Sequence, residues 1–423
     1  MAKPIFACGI LIFAALASVA CFDARAHPGW FLGLMGMAAL AYLVTLWHVA
    51  HRPRGSAREL AVCALLAVTW RVALFGAAPL VSDDTYRYVW DGRVQRFGLS
   101  PYETVPDDPA LAHLHTDVTR RIDPTSAALP TIYPPAAELF FRSVTTLHES
   151  VTAMVVIIIV CDLLTAVVMW RWLVTAGRNP WWVLAYLWHP LVALEGAGGG
   201  HVDFFGTFFV LSAAYALSRG RALIASLALA VSFAVKFLPV VLVPLFWRRV
   251  RLRDALLGVG TVVLLYLPFR DGRLILPTGS LWAYVEHWRF NGPLFAWLEP
   301  AFGVPALLAI AVGSGLVVST VARARLGPEA PAAWAWPMAV TLLLLPAVYP
   351  WYLIWLTPFL TSRGTWPLLT WTLASLLTYV VWAPQLSGVG WILPSWVEPV
   401  EYGLAAATGG WVWWARSTWP RAL

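Results

Sequence analysis

Apolar residues run through this chain in long unbroken stretches, broken by short polar or glycine-rich segments. Runs begin near residues 5, 30, 58 and 151, and several have the ~20 residues that an α-helix needs to cross a bilayer. The alternation of short segments that marks a transmembrane β-barrel is missing. The pattern therefore predicts an all-α, polytopic transmembrane helical bundle of about 12–14 segments. It predicts a single integral membrane module over residues 1–423, without a separate soluble domain. The weakest segment, 237–247, is too short to span unaided and reads as a half-helix.

Arginine clusters set the orientation. "HRPRGSAR" (51–58), "RNP" (178–180), "SRGR" (218–221), "WRRVRLR" (247–253), "ARAR" (322–325) and the tail "ARSTWPRAL" fall on one side if the runs alternate. By the positive-inside rule that side is cytoplasmic. Residues 81–150 and 269–300 then form two extracytoplasmic loops. At the N-terminus, Lys3, the apolar stretch after it and Ala24-Arg25-Ala26 also fit a cleavable signal peptide, which leaves the topology unchanged.

Composition agrees with the pattern. The chain is 60% hydrophobic and 12% charged, with a mean hydropathy of +0.70, whereas a soluble domain carries about 25% charged residues. A net charge of +7 would suit nucleic acid if it formed one patch. It is spread over short loops instead, which points to membrane lipids and no nucleic acid. Cys8, Cys21, Cys63 and Cys161 lie in or beside apolar runs and read as small buried hydrophobes.

The candidate chemistry sits where the apolar pattern fails. "LVSDDTYRYVWDGRVQRFGLSPYET" (80–104) places Asp83 and Asp84 side by side at the edge of a hydrophobic run. Either carboxylate suits a general base, which must be held within hydrogen-bond reach of a hydroxyl. The structural alternative is that Ser82, Asp83 and Asp84 open a helix, as acids at an N-terminus do. Arg87, Asp91 and Arg93 follow on the same stretch as substrate contacts, with Arg87 and Asp91 also spaced as helical neighbours. Working carboxylates at outer helix ends favour surface chemistry over transport, which usually uses sites near the midplane.

"GGGHVD" (198–203) is the second site. Its glycines allow close backbone approach. His201 and Asp203 suit sugar hydroxyls or phosphate. Their spacing admits a divalent metal without requiring one, since two ligands do not make a site. The structural alternative is a turn with a capping aspartate.

These stretches resemble a known group. "SDD-YRY-WDGRV---G-SPY---PDDP" with "TIYPPAAELFF", "WHPLVALEGAGGGHVDFFGTFFVL" (188–211), "SFAVKFLPVVLVPLFWRR" (232–249) and "VYPWYLIWLTPFL" (348–360) are similar to bacterial mannosyltransferase-like proteins of the glycosyltransferase-C superfamily. The resemblance covers residues from about 70 to 361. It implies a multi-pass protein of the bacterial inner membrane that moves a hexose, with mannose first among the sugars. The implied donor is a polyprenyl-phosphate sugar, and the implied acceptor a lipid-linked or cell-envelope glycan. It also implies a catalytic carboxylate in the first extracytoplasmic loop, at Asp83 or Asp84. A transporter or flippase of a lipid-linked sugar is the alternative.

Such a donor already carries a good leaving group, so positive charge at the departing phosphate and a base for the acceptor suffice. A single displacement would invert the anomeric centre. Lys236, Arg270, Arg289 and His201 are the phosphate candidates. Lys236 leads them because it is a lone charge in "AVSFAVKFLPVVLVPL", and intramembrane charges are costly. Trp351, beside Tyr349 and Tyr352, is a candidate platform for a sugar face, with an interfacial belt as the structural alternative.

Overall fold

The computed structural model describes residues 2–51, 55–270 and 278–418. Parts of the predicted basic cluster 51–58, of the predicted loop 269–300 and of the basic tail lie outside the described residues. The described chain is helical, and its β-structure is one isolated bridge between Phe290 and Ala347.

The helices, counting those of seven residues or more, are α1 (Ala2–Cys21), α2 (Pro28–His51), α3 (Ala57–Phe75), α4 (Asp84–Arg96), α5 (Pro135–Leu147), α6 (Val151–Thr175) and α7 (Asp203–Ser218). They continue as α8 (Ala222–Val235), α9 (Leu252–Tyr266), α10 (Leu281–His287), α11 (Pro293–Arg325), α12 (Pro331–Leu343), α13 (Trp366–Ala374) and α14 (Val397–Thr418). Among the described residues, six helical stretches are long and apolar enough to cross a membrane: Lys3–Cys21, Pro28–His51, Val151–Thr175, Leu252–Phe269, Pro293–Arg325 and Arg363–Leu386. Their outer faces stay greasy, with Leu40, Val259, Leu264 and Val317 each more than 60% exposed. In water such surfaces would associate; in a bilayer they face lipid. The protein is a multi-pass membrane protein.

The remaining apolar chain is cut into shorter pieces. The run 180–199, which the pattern presents as one segment, is a 3-10 turn (Pro180–Val183), two single helical turns (Leu184–Leu187 and Pro190–Ala193) and a π-turn (Leu194–Gly199). Pro180 and Pro190 impose the breaks. Their backbone is buried inside the bundle, the setting in which irregular structure is tolerated at membrane depth. The short segment expected at 237–247 is a 3-10 run, Leu238–Phe246, with Pro239 in its first turn and Pro244 inside it.

One core runs from Ile5 to Trp382. Within it Arg71 of α3 forms a forked pair with Asp162 of α6, and both side chains are almost wholly buried. Arg71 also donates to the carbonyl of Leu187 at 3.1 Å, tying α3 to the broken segment. Neither charge is left uncompensated, which is what makes a pair tolerable inside a bundle. Three of the four cysteines are buried as expected; Cys21, at the end of α1, is exposed.

The two polar loops share one end of the bundle. Ser280 donates through its hydroxyl to the carbonyl of Pro130 at 2.6 Å and through its amide to Thr131 at 3.1 Å. Within the first loop, α5 begins at the last proline of "TIYPP", Pro135, where a proline suits the first helical position.

Several polar residues assigned to substrate fasten this end instead. Arg87 pairs with Asp91 at 2.8 Å and donates to the carbonyls of Ser126 and Leu129 at 2.6 and 2.9 Å. Asp91 is fully buried beneath it. Arg93 donates to the carbonyl of Leu114 at 2.6 Å and pairs with Glu149. Arg289 pairs with Glu299 at 2.6 Å on the surface. The reason is common to all four. A loop with little apolar core must satisfy its carbonyls and acids by other means, and arginine's forked donors do so. Arg270 is exposed, beside the undescribed stretch 271–277.

Candidate functional site

The site forms where α4, α7, α8, the π-turn and the 3-10 segment Pro350–Phe359 meet. The chain entering α4 is pinned to the π-turn, since the Leu80 amide donates to the Gly198 carbonyl at 2.7 Å. Gly200, at φ +70°, lies so close to α4 that a Cβ there would stand 2.7 Å from the Thr85 methyl and 2.9 Å from Val155. Gly200 thus makes room for α4 and α6, while a Cβ at Gly199 would meet the His201 ring at 2.7 Å and Glu195 at 3.0 Å.

The two adjacent aspartates have different fates. Asp83 is held by Arg25, whose Nη1 and Nη2 each donate to one carboxylate oxygen at 3.0 Å, while its Nε donates to the Leu80 carbonyl. Asp84 opens α4, its amide bonded to the Ser82 hydroxyl at 3.2 Å. Among the described residues no ion pair reaches its carboxylate closer than 3.6 Å, the distance from Oδ2 to Nδ1 of His201. The Asp84 side chain keeps 36% of its surface open. Burial nonetheless raises its pKa; His201 and Lys236 pull it down, and Asp203 and Asp83 push it up.

Behind Asp84 lies a buried polar cluster. His201 is fully buried, and its Nε2 stands 3.1 Å from Oε2 of Glu195, also fully buried. The Tyr379 hydroxyl donates to the other oxygen of Glu195. The His201 ring is stacked on Trp351 at 4.4 Å. Trp351 stacks in turn on Tyr349 at 4.5 Å, and Tyr349 on Phe290 at 4.4 Å. Trp351 and Tyr349 are thus each stacked on two other rings, and both remain half-buried. The stack sets the orientation of the His201 ring beside Asp84.

Lys236 and Asp203 form the other wall. The chain between α7 and α8 turns at Gly220, so the start of α7 and the end of α8 lie at the same end of the bundle. Asp203, in the first turn of α7, accepts from Nζ of Lys236 at 2.8 Å and from Nε1 of Trp355 at 2.6 Å. Acid at a helix start and cation at a helix end both suit the helix dipole. Gly206 makes room for Trp355, since a Cβ there would meet the indole at 2.1 Å. Nζ of Lys236 also sits 3.7 Å above the Tyr352 ring, and Tyr352 bonds Tyr284 of α10 through their hydroxyls at 2.6 Å. The lysine side chain remains 24% exposed. With one donor on Asp203 and the ring beneath, it has a proton left for an anion.

Of the residues singled out from sequence, the fold gathers Asp84, His201, Asp203, Lys236 and Tyr352, with Trp351 and Tyr349 beside them. It places Arg87, Asp91, Arg93, Arg270 and Arg289 in other roles or apart. Among the described residues no three of His, Cys, Asp and Glu converge as a metal-binding group. Sequence inspection had passed over Glu195, Tyr379, Trp355 and the pairing of Arg25. Only Glu195 carried a local signal, as a lone acid in "WHPLVALEGAGGG". Tyr379 and Trp355 reach their partners across 184 and 152 residues.

A buried acid and histidine and a half-buried lysine thus gather at one end of a polytopic helical membrane protein. Residues 13–250, more than half of the chain, match the family described as alpha-(1->6)-mannopyranosyltransferase, N-terminal domain, and the chain belongs to that family. It is 24% identical over 330 residues to Alpha-(1->6)-mannopyranosyltransferase A of Mycobacterium tuberculosis (strain ATCC 25618 / H37Rv). That match takes in 68% of this chain and 62% of the relative, so less than two thirds of the relative's length. No solved structure matches the chain. The family match includes Asp84, Glu195, His201, Asp203 and Lys236, and stops before the aromatic segment 350–359 and Tyr379.

Proposed function

We propose that this protein transfers a mannosyl residue from a polyprenyl-phosphate donor to a lipid-linked or cell-envelope glycan on the extracytoplasmic face of the bacterial inner membrane. The observation that carries the chemistry is the separation of the two aspartates. Asp83 is locked in a fork with Arg25, while Asp84 has only the His201 ring at 3.6 Å and feels the charge of Lys236. Asp84 is the base. It takes the proton of the acceptor hydroxyl as that oxygen bonds to the anomeric carbon and the lipid phosphate departs with the bonding pair. Lys236 receives the phosphate charge. One displacement inverts the anomeric centre. Membership of a family described by mannosyl transfer supports the sugar, and the arginine clusters support the orientation.

The test has two arms. The purified protein in liposomes, given synthetic polyprenyl-phosphate mannose and octyl α-mannoside, yields a disaccharide glycoside and free polyprenyl phosphate by mass spectrometry. Movement of the donor across the bilayer without transfer would favour the flippase alternative. Reporter fusions after residues 110 and 250 report opposite compartments; a common compartment overturns the orientation.

A further inference from the structure

Asp84 does not stand alone. Directly behind its carboxylate lies a line of buried polar groups: from Asp84 Oδ2 to His201 Nδ1 at 3.6 Å, then from His201 Nε2 to Glu195 Oε2 at 3.1 Å, then from Glu195 Oε1 to the Tyr379 hydroxyl. His201 and Glu195 are each fully buried, yet neither imidazole nitrogen nor Glu195 Oε2 has a well-aligned hydrogen bond. Buried polar atoms left in that state are costly, and they collect where a structure is poised for a second arrangement. The ring is clamped from one side by Trp351. The backbone holds it too: Gly200 takes a left-handed φ of +70°, and the His201 amide donates to the Glu195 carbonyl at 3.3 Å. Glu195 itself sits in a π-turn, a geometry common at functional sites.

We propose that Glu195 and His201 form a proton relay behind Asp84, anchored by Tyr379; this rests on Asp84 being the base. The Glu195 carboxylate holds His201 as the tautomer with hydrogen on Nε2, leaving the Nδ1 lone pair toward Asp84. During transfer the acceptor hydroxyl gives its proton to Asp84, its oxygen bonds to the anomeric carbon, and the carbon–phosphate-oxygen bond breaks with its electrons on the phosphate. The proton then passes from Asp84 to Nδ1. The resulting imidazolium is stabilised by Glu195, and Asp84 is again a carboxylate. The groups around the ring fit this traffic: anions at Glu195, Asp84 and Asp203, with the nearby cation, Lys236, committed to Asp203. Closing the 3.6 Å gap needs a shift of well under 1 Å, the tightening expected when a substrate fills the site. Glu195 touches no reacting atom and is a positioning residue.

The experiment uses the full chain in liposomes with polyprenyl-phosphate mannose and octyl α-mannoside. Glu195→Gln lowers kcat by about 100-fold, within the range of general acid–base effects, and leaves the donor KM within about two-fold. Tyr379→Phe lowers kcat less, because Glu195 loses its anchor and keeps its charge. His201→Ala is inactive and regains activity with added imidazole, since a small base can occupy the space behind Asp84. A merely structural histidine would give a variant that imidazole does not restore. The relay is overturned if Glu195→Gln keeps kcat within about two-fold, or if imidazole leaves a folded His201→Ala unchanged. Asp84→Asn, measured in parallel, separates the two proposals. If it is dead while Glu195→Gln is fully active, the relay alone fails; if it is active, the base assignment fails.

Discussion

Asp84→Asn should abolish mannosyl transfer while the protein still inserts and still binds donor. Asparagine keeps the shape and the hydrogen-bond capacity at the start of α4 but cannot take a proton. The loss is confined to the transition state, so kcat falls by about 10²–10⁴-fold with little change in donor affinity. Asp83→Asn is the contrasting variant. It breaks a fork whose two side chains are 36% and 40% exposed, and such half-open pairs contribute about 0–1 kcal/mol. Activity should fall less than about ten-fold. The measurement is transfer rate against donor concentration for both variants. Equal damage from the two would remove the distinction on which the base assignment depends.

The same carboxylate predicts a pH dependence. Asp84 lies in the first loop, outside the spanning helices, and its pKa is raised by burial against the partial opposition of His201 and Lys236. A base must be deprotonated, so activity should be lost as pH falls through this raised value, above the ~3.9 of an ordinary aspartate. An acid limb at or below that ordinary value would mean the carboxylate is solvated more freely than its surroundings indicate.

Removing the charge at Lys236 is the second large effect. Lys236→Met keeps the aliphatic stem over Tyr352 but deletes the cation. Donor KM should rise by about 10–100-fold, the equivalent of the ~1.5–3 kcal/mol of a hydrogen bond to a charged group. Asp203 complicates the single variant. It is almost wholly buried, and without Lys236 its charge keeps, among the described residues, the Trp355 indole as its hydrogen-bond donor. An uncompensated buried charge destabilises in its own right. The paired variant Lys236→Met with Asp203→Asn removes that penalty, because the amide oxygen can still accept from Trp355. If the pair binds donor normally, Lys236 holds Asp203 and nothing more. If the pair is stable and still fails to bind donor, the charge acts on the phosphate. Lys236→Arg should recover part of the affinity, since it keeps the charge and changes its shape.

The membrane class, the helical fold and the side-by-side aspartates were all legible in the sequence. Apolar run length and arginine spacing are local quantities, and a bilayer turns them directly into helices and loops. The short run at 237–247 showed as irregular for the same reason: two prolines in a stretch too brief to span. The run 180–199 did not. Periodicity cannot tell a continuous helix from buried turns when every residue is apolar, and packing around Arg71 and Gly200 decided it.

The site shows the same division. Charged residues in apolar surroundings were visible as anomalies at Asp84, Asp203 and Lys236, because burying them has a cost that any composition reveals. Arginines in the polar loops carried no such mark. Arg87, Arg93 and Arg289 have the same local look whether they meet a phosphate or a carbonyl, and only folded contacts separate the two. The choice between Asp83 and Asp84 was also beyond reach of the sequence. The two are chemically identical neighbours, and what distinguishes them is Arg25, in the turn between α1 and α2, 58 residues before Asp83. Local chemistry determined which residue types would work here; long-range packing decided which of them would be left free to do it.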